Sequence, residues 1–390
     1  MARHAQCVDI DVMDADALVA FAKERSVGLV VVGPEAPLAA GLVDRLTAEG
    51  LRAFGPSGAA AQLEASKLFA KRLMEKYNIP TAEYAEFTDA DAAAAYVKER
   101  GAPIVVKADG LAAGKGVTVA QDVQTALDAI QDTMVDKVFG GAGDRVVIEE
   151  CLVGEEASIF ALTDGRNLLP LVSSQDHKPA YDGDTGPNTG GMGAYSPAPV
   201  VTPALFEEIE RTVLRPCIEG MAQEGVPYSG VLYAGLMITD NGPKVVEFNC
   251  RFGDPETQVV LPPMSCDLLP LLDACCDGTL DAVLDTLAWG SCACVTVVMA
   301  SGGYPGSYAK GKTITGIEEA ETLEGLTVFH AGTKRVGDDT VTNGGRVLNV
   351  TAAAVDIPTA IDKAYEGVKC IHFEGAEYRT DIGRKALARL

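Results

Sequence analysis

Glu247-Phe248-Asn249-Cys250-Arg251-Phe252-Gly253-Asp254-Pro255-Glu256 follows a predicted strand over Lys244 to Phe248. Side chains alternate along a strand, so Glu247 and Asn249 fall on one face. A carboxylate and an amide oxygen so placed suit a hard cation such as Mg²⁺. Arg251 comes next and can clamp a phosphate or a carboxylate through its planar fork. A metal that holds polyphosphate beside a subsite for an anionic acceptor is a phosphoryl-transfer layout. That layout requires a nucleotide pocket elsewhere in the chain.

Two upstream segments offer one, and a third offers a substrate site. Lys107-Ala108-Asp109-Gly110-Leu111-Ala112-Ala113-Gly114-Lys115-Gly116-Val117 lies between predicted strands at 104–108 and 117–120. Its glycines and lysines make a flap whose N–H groups can cover phosphates. It is not a Walker A loop: three residues separate Gly110 from Gly114, Gly116 follows Lys115, and a strand follows where a helix is needed. Lys107, near the end of a buried strand, needs an anionic partner. Glu149-Glu150-Cys151-Leu152-Val153-Gly154-Glu155-Glu156 ends another predicted strand, Arg145 to Glu150. It reads either as a solvated acidic turn or as a nucleotide hinge. In a hinge, backbone near Cys151 and Leu152 meets adenine and a later Glu meets the ribose hydroxyls. Ser174-Gln175-Asp176-His177-Lys178 and Thr185 to Tyr195 belong to a predicted polar loop over 176–199. A loop that long inside a compact domain is usually functional. Its glycines, with Asn188, Thr189, Asp176 and Lys178, can form an anion nest for a substrate.

Composition narrows the function classes. The 390 residues predict about two to four domains. With 47% hydrophobic and 22% charged residues the chain is globular and not disordered. A net charge of −23 argues against general nucleic-acid binding, which needs a basic face, and against anionic membranes. An anionic substrate must then be met by a local cluster of Lys, Arg and N–H groups. The ten cysteines form no CxxC pair and no His sits at finger-like spacing, so zinc is not expected. Most cysteines lie in apolar runs, which predicts buried free thiols in a reducing, cytoplasmic setting. No stretch reads as a signal peptide or a membrane span. No GxGxxG opens a strand–helix unit, which disfavours a nicotinamide dehydrogenase.

The element pattern is α/β followed by α+β. A predicted helix at 14–25, strand at Gly28 to Val32, helix at 37–49 and strand at Arg52 to Phe54 give the βα alternation of a parallel sheet. Helical stretches are predicted at 58–77, 89–100, 122–135, 203–224 and 264–288. Ala157 to Thr163 pairs with Leu168 to Ser173 as a hairpin, and strands are predicted at Val231 to Ile238 and Lys244 to Phe248. From Cys292 onward short strands and turns predict a separate α+β domain.

Taken in order, these segments resemble the ATP-grasp superfamily and, within it, the phosphoribosylamine–glycine ligase family. The resemblance rests on Gly33 to Leu38, the flap from Lys107 to Gly116, Ser174 to Lys178, Pro187 to Pro197 and Glu247 to Glu256. Gly302 to Gly306, His330 to Thr333 and Asn343-Gly344-Gly345-Arg346-Val347 extend it into the last domain. It implies an ATP-grasp fold at 63–289, with a lid at about 81–150. An incomplete parallel βα domain at 1–62 would precede it, and a small α+β domain at 290–390 would follow. It implies joining of glycine to 5-phosphoribosylamine through glycyl phosphate, with ATP as co-substrate and Mg²⁺ or Mn²⁺, in a monomer or weak dimer. By resemblance, Lys67, Lys107, Gly114, Lys115 and Gly116 meet ATP phosphates; Glu149, Glu150 and Leu152 border adenine; Glu156 meets the ribose. Glu247 and Asn249 hold the metal, and Arg251 and Lys107 act at the reacting groups. Glu35, Asp176, Lys178, Asn188, Thr189, Gly190, Gly191, Arg251 and Asp254 serve the substrates. The family's usual opening strand and Gly-rich turn are not seen, so the chain is expected to join the pattern about one βα unit late. A nucleotide-binding relative without ligase activity, or another carboxylate–amine ligase of this fold, stands as the alternative.

Overall fold

The computed structural model describes residues 5–112 and 116–390. Gly114 and Lys115 of the flap lie outside the described residues. Three sheets carry the segments singled out above.

The first sheet runs Tyr84–Phe87, Val146–Glu150, Ile104–Ala108, Val117–Ala120, with every neighbour antiparallel. Helices Ala90–Arg100 and Val123–Ile130 cover one face, packing Ala93, Val97, Ala126 and Ile130 on Ile104, Val106 and Ile148. Each helix starts at an aspartate whose side chain accepts an orphan N–H: Asp89 from Ala92, Asp122 from Thr125. Alternation leaves Val105, Lys107, Val147 and Glu149 for the opposite face.

The second sheet runs Gly242–Asn249, Ser229–Thr239, Glu155–Asp164, Leu168–Pro170. Both of its faces are buried. Ile159, Ala161, Leu232 and Ala234 join one core with Leu38, Leu46 and Val213, while Phe160, Leu162, Val231 and Tyr233 join another with Val259 and Leu271. Two-sided burial explains why these strands read as continuous apolar runs. Each large side chain so buried contributes about 1.5–3 kcal/mol. The N-terminal segment pairs Val30–Val31 with Ala53–Phe54 in parallel and shares the first of these cores through Leu38, Leu42 and Leu46.

The third sheet runs Leu326–His330, Arg346–Ala354, Ala293–Ser301, Gly193–Ser196, Gln175–Asp176, with Ala376–Glu377 also on Ala293–Ser301. Helix Ile357–Cys370, capped by Asp356, packs on it. Two of its strands come from the segment predicted as a polar loop over 176–199. That segment also forms a small hairpin, Pro179–Tyr181 with Thr185–Asn188. Strands this short, rich in Gly and Pro, show no readable alternation, and Gly193–Ser196 finds its long partner, Ala293–Ser301, in the C-terminal region.

Other predicted elements hold with altered ends. The stretch 58–77 breaks at Ser66, whose extended backbone ends Gln62–Ala65 and whose hydroxyl caps Lys67–Lys76. The stretches 122–135 and 203–224 contain π-helical turns at Gln131–Val135 and Glu210–Leu214. Of 264–288, the regular α-helix is Leu268–Asp277. All ten cysteines are free; Cys217, Cys250, Cys275 and Cys294 are buried, and the other six are exposed or half-buried. Among the described residues no helix is long and apolar enough to cross a membrane.

Candidate active site

The first sheet presents its charged face to the second. The register pairs Val105 with Glu149 and Lys107 with Val147, so Lys107 and Glu149 are diagonal neighbours on one face. Lys107 Nζ lies 2.9 Å from Glu149 Oε2 and donates across the cleft to Val246 O at 3.0 Å. Lys71, from helix Lys67–Lys76, reaches the same Oε2 at 3.2 Å and also donates to Thr81 Oγ1. All three side chains are buried, and Glu149 Oε1 has no partner among the described residues. Burial pulls the Lys71 ammonium down to about 8, against the Glu149 carboxylate and with Lys107 adding to the fall. Two cations on one carboxylate oxygen leave net positive charge where a polyanion can take it up.

Glu150 is turned outward, to Lys244 at 2.7 Å, and accepts from Glu83 N. Leu152 is half-buried at the joint between the two sheets. Gly154 is required there: a Cβ would lie 2.1 Å from Ile238 O. Gly116 closes the flap hairpin by accepting from Ala108 N. Asp109, at the flap's base, accepts from Ser66 Oγ and Leu68 N and pairs with Arg145, so flap and helix start are tied together.

Glu247 stands on strand Gly242–Asn249 opposite Gly235. Burial works to raise its pKa, yet Lys178, Lys67, Lys107 and Arg251 together hold the carboxyl below its ordinary value. Asn249 is buried close by on the same strand. These two oxygen donors, with the carboxylate held ionised, suit a hard divalent cation that takes its other ligands from phosphate and water. Among the described residues no group of three or more His, Cys, Asp and Glu could form a closed metal cage.

On the other side, a narrow crevice is lined by Glu156, Ser158, Lys178, Gly235 and Val246. Lys178 pairs with Glu156 at 3.1 Å. Burial pushes the Asp176 carboxyl up to about 8, against the pull of Lys178 and with help from Glu256, Glu156 and Glu247. Glu256 accepts from Tyr233 OH at 2.6 Å, and that hydroxyl lies 2.9 Å from Ser158 Oγ. Arg251 is held by Glu35 at 3.0 Å and Glu64 at 3.5 Å, and donates to Phe252 O. Glu35 is thus a partner of Arg251 in this structure, and Asp254 is paired with Arg346 at 3.1 Å.

The expected anion nest is not formed by the N–H groups of 189–191. Thr189 N donates to Lys178 O, Gly190 N to Tyr304 OH and Gly191 N to Thr189 Oγ1. The turn closes on its own flanks because internal acceptors lie within reach. Asn188 is exposed at the end of its hairpin strand.

Sequence reasoning brought Lys67, Lys107, Lys178, Arg251 and Glu247 into one neighbourhood, and the structure places them there. It missed Lys71, Glu64, Tyr233, Glu256 and Arg346 as members of the site. Lys71 carried a signal: it falls among Leu68, Ala70 and Met74, on the buried side of its helix. A lysine there needs a partner. Tyr233 and Glu64 carried none, because each is defined by a contact distant in sequence.

Comparison with known proteins shows the family. The chain matches the N domain of phosphoribosylglycinamide synthetase over residues 1–64, its ATP-grasp (A) domain over 65–257 and its C domain over 294–385. A phosphoribosylamine–glycine ligase of Brucella melitensis is 54% identical over 99% of this chain and 90% of its own length. The crystal structure of that enzyme from Thermotoga maritima superposes with TM-score 0.76 at 36% identity, over 85% of this chain and 82% of that one. A biotin carboxylase domain of Hydrogenobacter thermophilus, in complex with MgADP, ADP and bicarbonate, superposes with TM-score 0.73 over 98% of this chain and 88% of its own. At 15% identity it shares the fold alone. With its ATP-grasp core, its flanking domains and relatives at this level of identity, the chain belongs to the phosphoribosylamine–glycine ligase family.

Proposed function

We propose that this protein ligates glycine to 5-phosphoribosylamine at the expense of ATP, giving glycinamide ribonucleotide, ADP and phosphate in purine biosynthesis. The observation that carries the reading is Glu247 ringed by Lys178, Lys67, Lys107 and Arg251 in a chain of net charge −23. Cations drawn from separate segments onto one half-buried carboxylate are what a polyphosphate and an anionic acceptor require.

In the first step a glycine carboxylate oxygen attacks the γ-phosphorus of ATP. The bond from that phosphorus to the ADP oxygen breaks, and glycyl phosphate forms. In the second, the amine of phosphoribosylamine attacks the glycyl carbonyl carbon, the carbon–oxygen bond to phosphate breaks, and the nitrogen loses a proton. No protein nucleophile is needed, so catalysis is positioning and charge neutralisation. Lys67 and Lys107 would neutralise phosphate charge. Gly116, with Gly114 and Lys115 by resemblance, would bind it. Glu149, Glu150 and Leu152 would border the base, and Glu156 the ribose. Glu247 and Asn249 would hold Mg²⁺ or Mn²⁺, which when bound spreads charge over the transferring phosphoryl group. Arg251, braced by Glu35 and Glu64, would orient the glycine carboxylate or the phosphoryl group. Asp176, Lys178 and the turn at 188–191 would face glycine and phosphoribosylamine. The segments 1–62, 63–289 and 290–390 would then serve as substrate, ATP-grasp and closing domains of a cytoplasmic monomer or weak dimer.

Phosphate release with ATP, Mg²⁺, glycine and freshly generated phosphoribosylamine, omitting each in turn, tests the reading. Release that requires every component supports it. Nucleotide-dependent thermal stabilisation without such release would leave only a nucleotide-binding protein.

A further inference from the structure

We propose that Arg346, on the first residue of a C-terminal strand, is a positioning residue that sets the acceptor side of the cleft by holding the Gly190-Gly191 turn against Asp254. The proposal rests on the ligase reading above.

Arg346 joins three distant segments. Its Nη1 donates to Gly190 O at 2.7 Å, Gly191 O at 3.4 Å and Asp254 O at 2.6 Å. Its Nη2 pairs with Asp254 Oδ2 at 3.1 Å. A planar guanidinium can serve carbonyls and a carboxylate together, which a lysine ammonium cannot match in geometry. The turn is shaped to receive it. A Cβ on Gly190 would lie 2.8 Å from Arg346 Cζ. Gly191 has φ +113° and a Cβ there would lie 2.4 Å from Pro255 Cδ. Tyr304, also C-terminal, accepts from Gly190 N at 3.2 Å.

The turn in turn holds Lys178. Thr189 N and Thr189 Oγ1 both donate to Lys178 O, at 2.8 and 2.7 Å. Lys178 is the cation that most lowers the Glu247 pKa, and it pairs with Glu156 in the crevice. A continuous set of contacts therefore runs from Arg346 through the turn to a cation at the reacting centre. On the same side of the turn, Asp254 sits in the segment that follows the metal-strand residues. The nucleotide cluster of Lys71, Lys107 and Glu149 shares none of these contacts. Loss of Arg346 should release the turn and leave the nucleotide side intact.

The test uses the full chain with Arg346→Met and Arg346→Lys. For Arg346→Met, the KM for phosphoribosylamine is expected to rise about tenfold or more, because small displacements of a positioning group cost rate steeply. ADP-induced thermal stabilisation should persist, and Arg346→Lys, which keeps the pairing with Asp254, should recover part of the loss. An unchanged KM for phosphoribosylamine would overturn the proposal. So would an equal rise in the KM for ATP, the mark of a general structural defect. If the wild-type chain shows no turnover, the ligase reading fails, and amide hydrogen exchange still decides on Arg346. Thr189 and Gly191 amides should exchange faster in Arg346→Met, with those of 104–108 unaltered; equal protection at 189–191 would overturn it.

Discussion

Lys107 and Glu149 meet because their strands pair, whereas Gly190, Asp254 and Arg346 meet because a C-terminal strand carries an arginine across to the other two. The nucleotide side is a buried ion cluster on a local sheet, completed by one helix. The acceptor side is assembled from a turn, the segment after the metal strand and the C-terminal sheet. On the first side, Lys71 and Lys107 share the Glu149 side chain and each also donates to a backbone carbonyl. On the second, side chains largely hold backbone, and the glycines exist to let them come close. The difference implies that single substitutions on the two sides should separate ATP effects from amine effects.

The largest expected effect lies where the two sides meet. Glu247→Ala should cut turnover by about a thousandfold, the scale of losing a preorganised electrostatic contact at developing charge. Its fold, followed by thermal denaturation, should stay near that of the wild type. Turnover with an unaltered dependence on divalent cation would remove the metal assignment. Lys107→Met should lower kcat/KM for ATP by about a hundredfold. Steady-state kinetics should show this with little change in the KM for phosphoribosylamine, the reverse of the Arg346 pattern. An equal effect on both substrates would break the separation.

A third test sharpens the nucleotide side through pH. Burial lowers the Lys71 pKa from its ordinary 10.5 to about 8. Between those values the unfolded chain keeps a proton that the native chain has lost. Lys71 therefore makes stability rise as pH climbs from about 8 toward 10.5, and works against folding below 8. Denaturant midpoints measured across that range should rise less steeply in Lys71→Met than in the wild type. Parallel slopes would show that Lys71 is not perturbed as described. The smallest effect is at Ser66, whose hydroxyl accepts from Phe69 N and donates to Asp109. Ser66→Ala should cost about 1 kcal/mol in unfolding free energy, the scale of a lost helix cap.

The same contrast explains what could be read in the chain. Strands at 104–108 and 146–150 and the two-faced strands at 157–162 and 231–236 are legible because alternation and apolar runs are local signals. Glu247 and Asn249 were legible because strand period alone puts them on one face. Lys71 was half-legible, as a lysine among buried neighbours. Gly193–Ser196 reads as loop in the sequence because its pairing partner, Ala293–Ser301, lies a domain away. Arg346 stood in a recognised motif, yet nothing in that motif says which backbone its guanidinium holds. The anion nest at 189–191 was misread for a related reason. Gly density announces a tight turn, but whether its N–H groups face a ligand or an internal acceptor depends on Lys178 O and Tyr304 OH.

The central claim is that the glycine carboxylate is itself the nucleophile toward ATP. The direct measurement is to run the complete reaction with glycine carrying heavy oxygen in its carboxylate and to analyse the released phosphate by mass spectrometry. Acyl phosphate formation predicts that each phosphate carries one oxygen from glycine. Phosphate free of the label, released in step with glycinamide ribonucleotide, would contradict it.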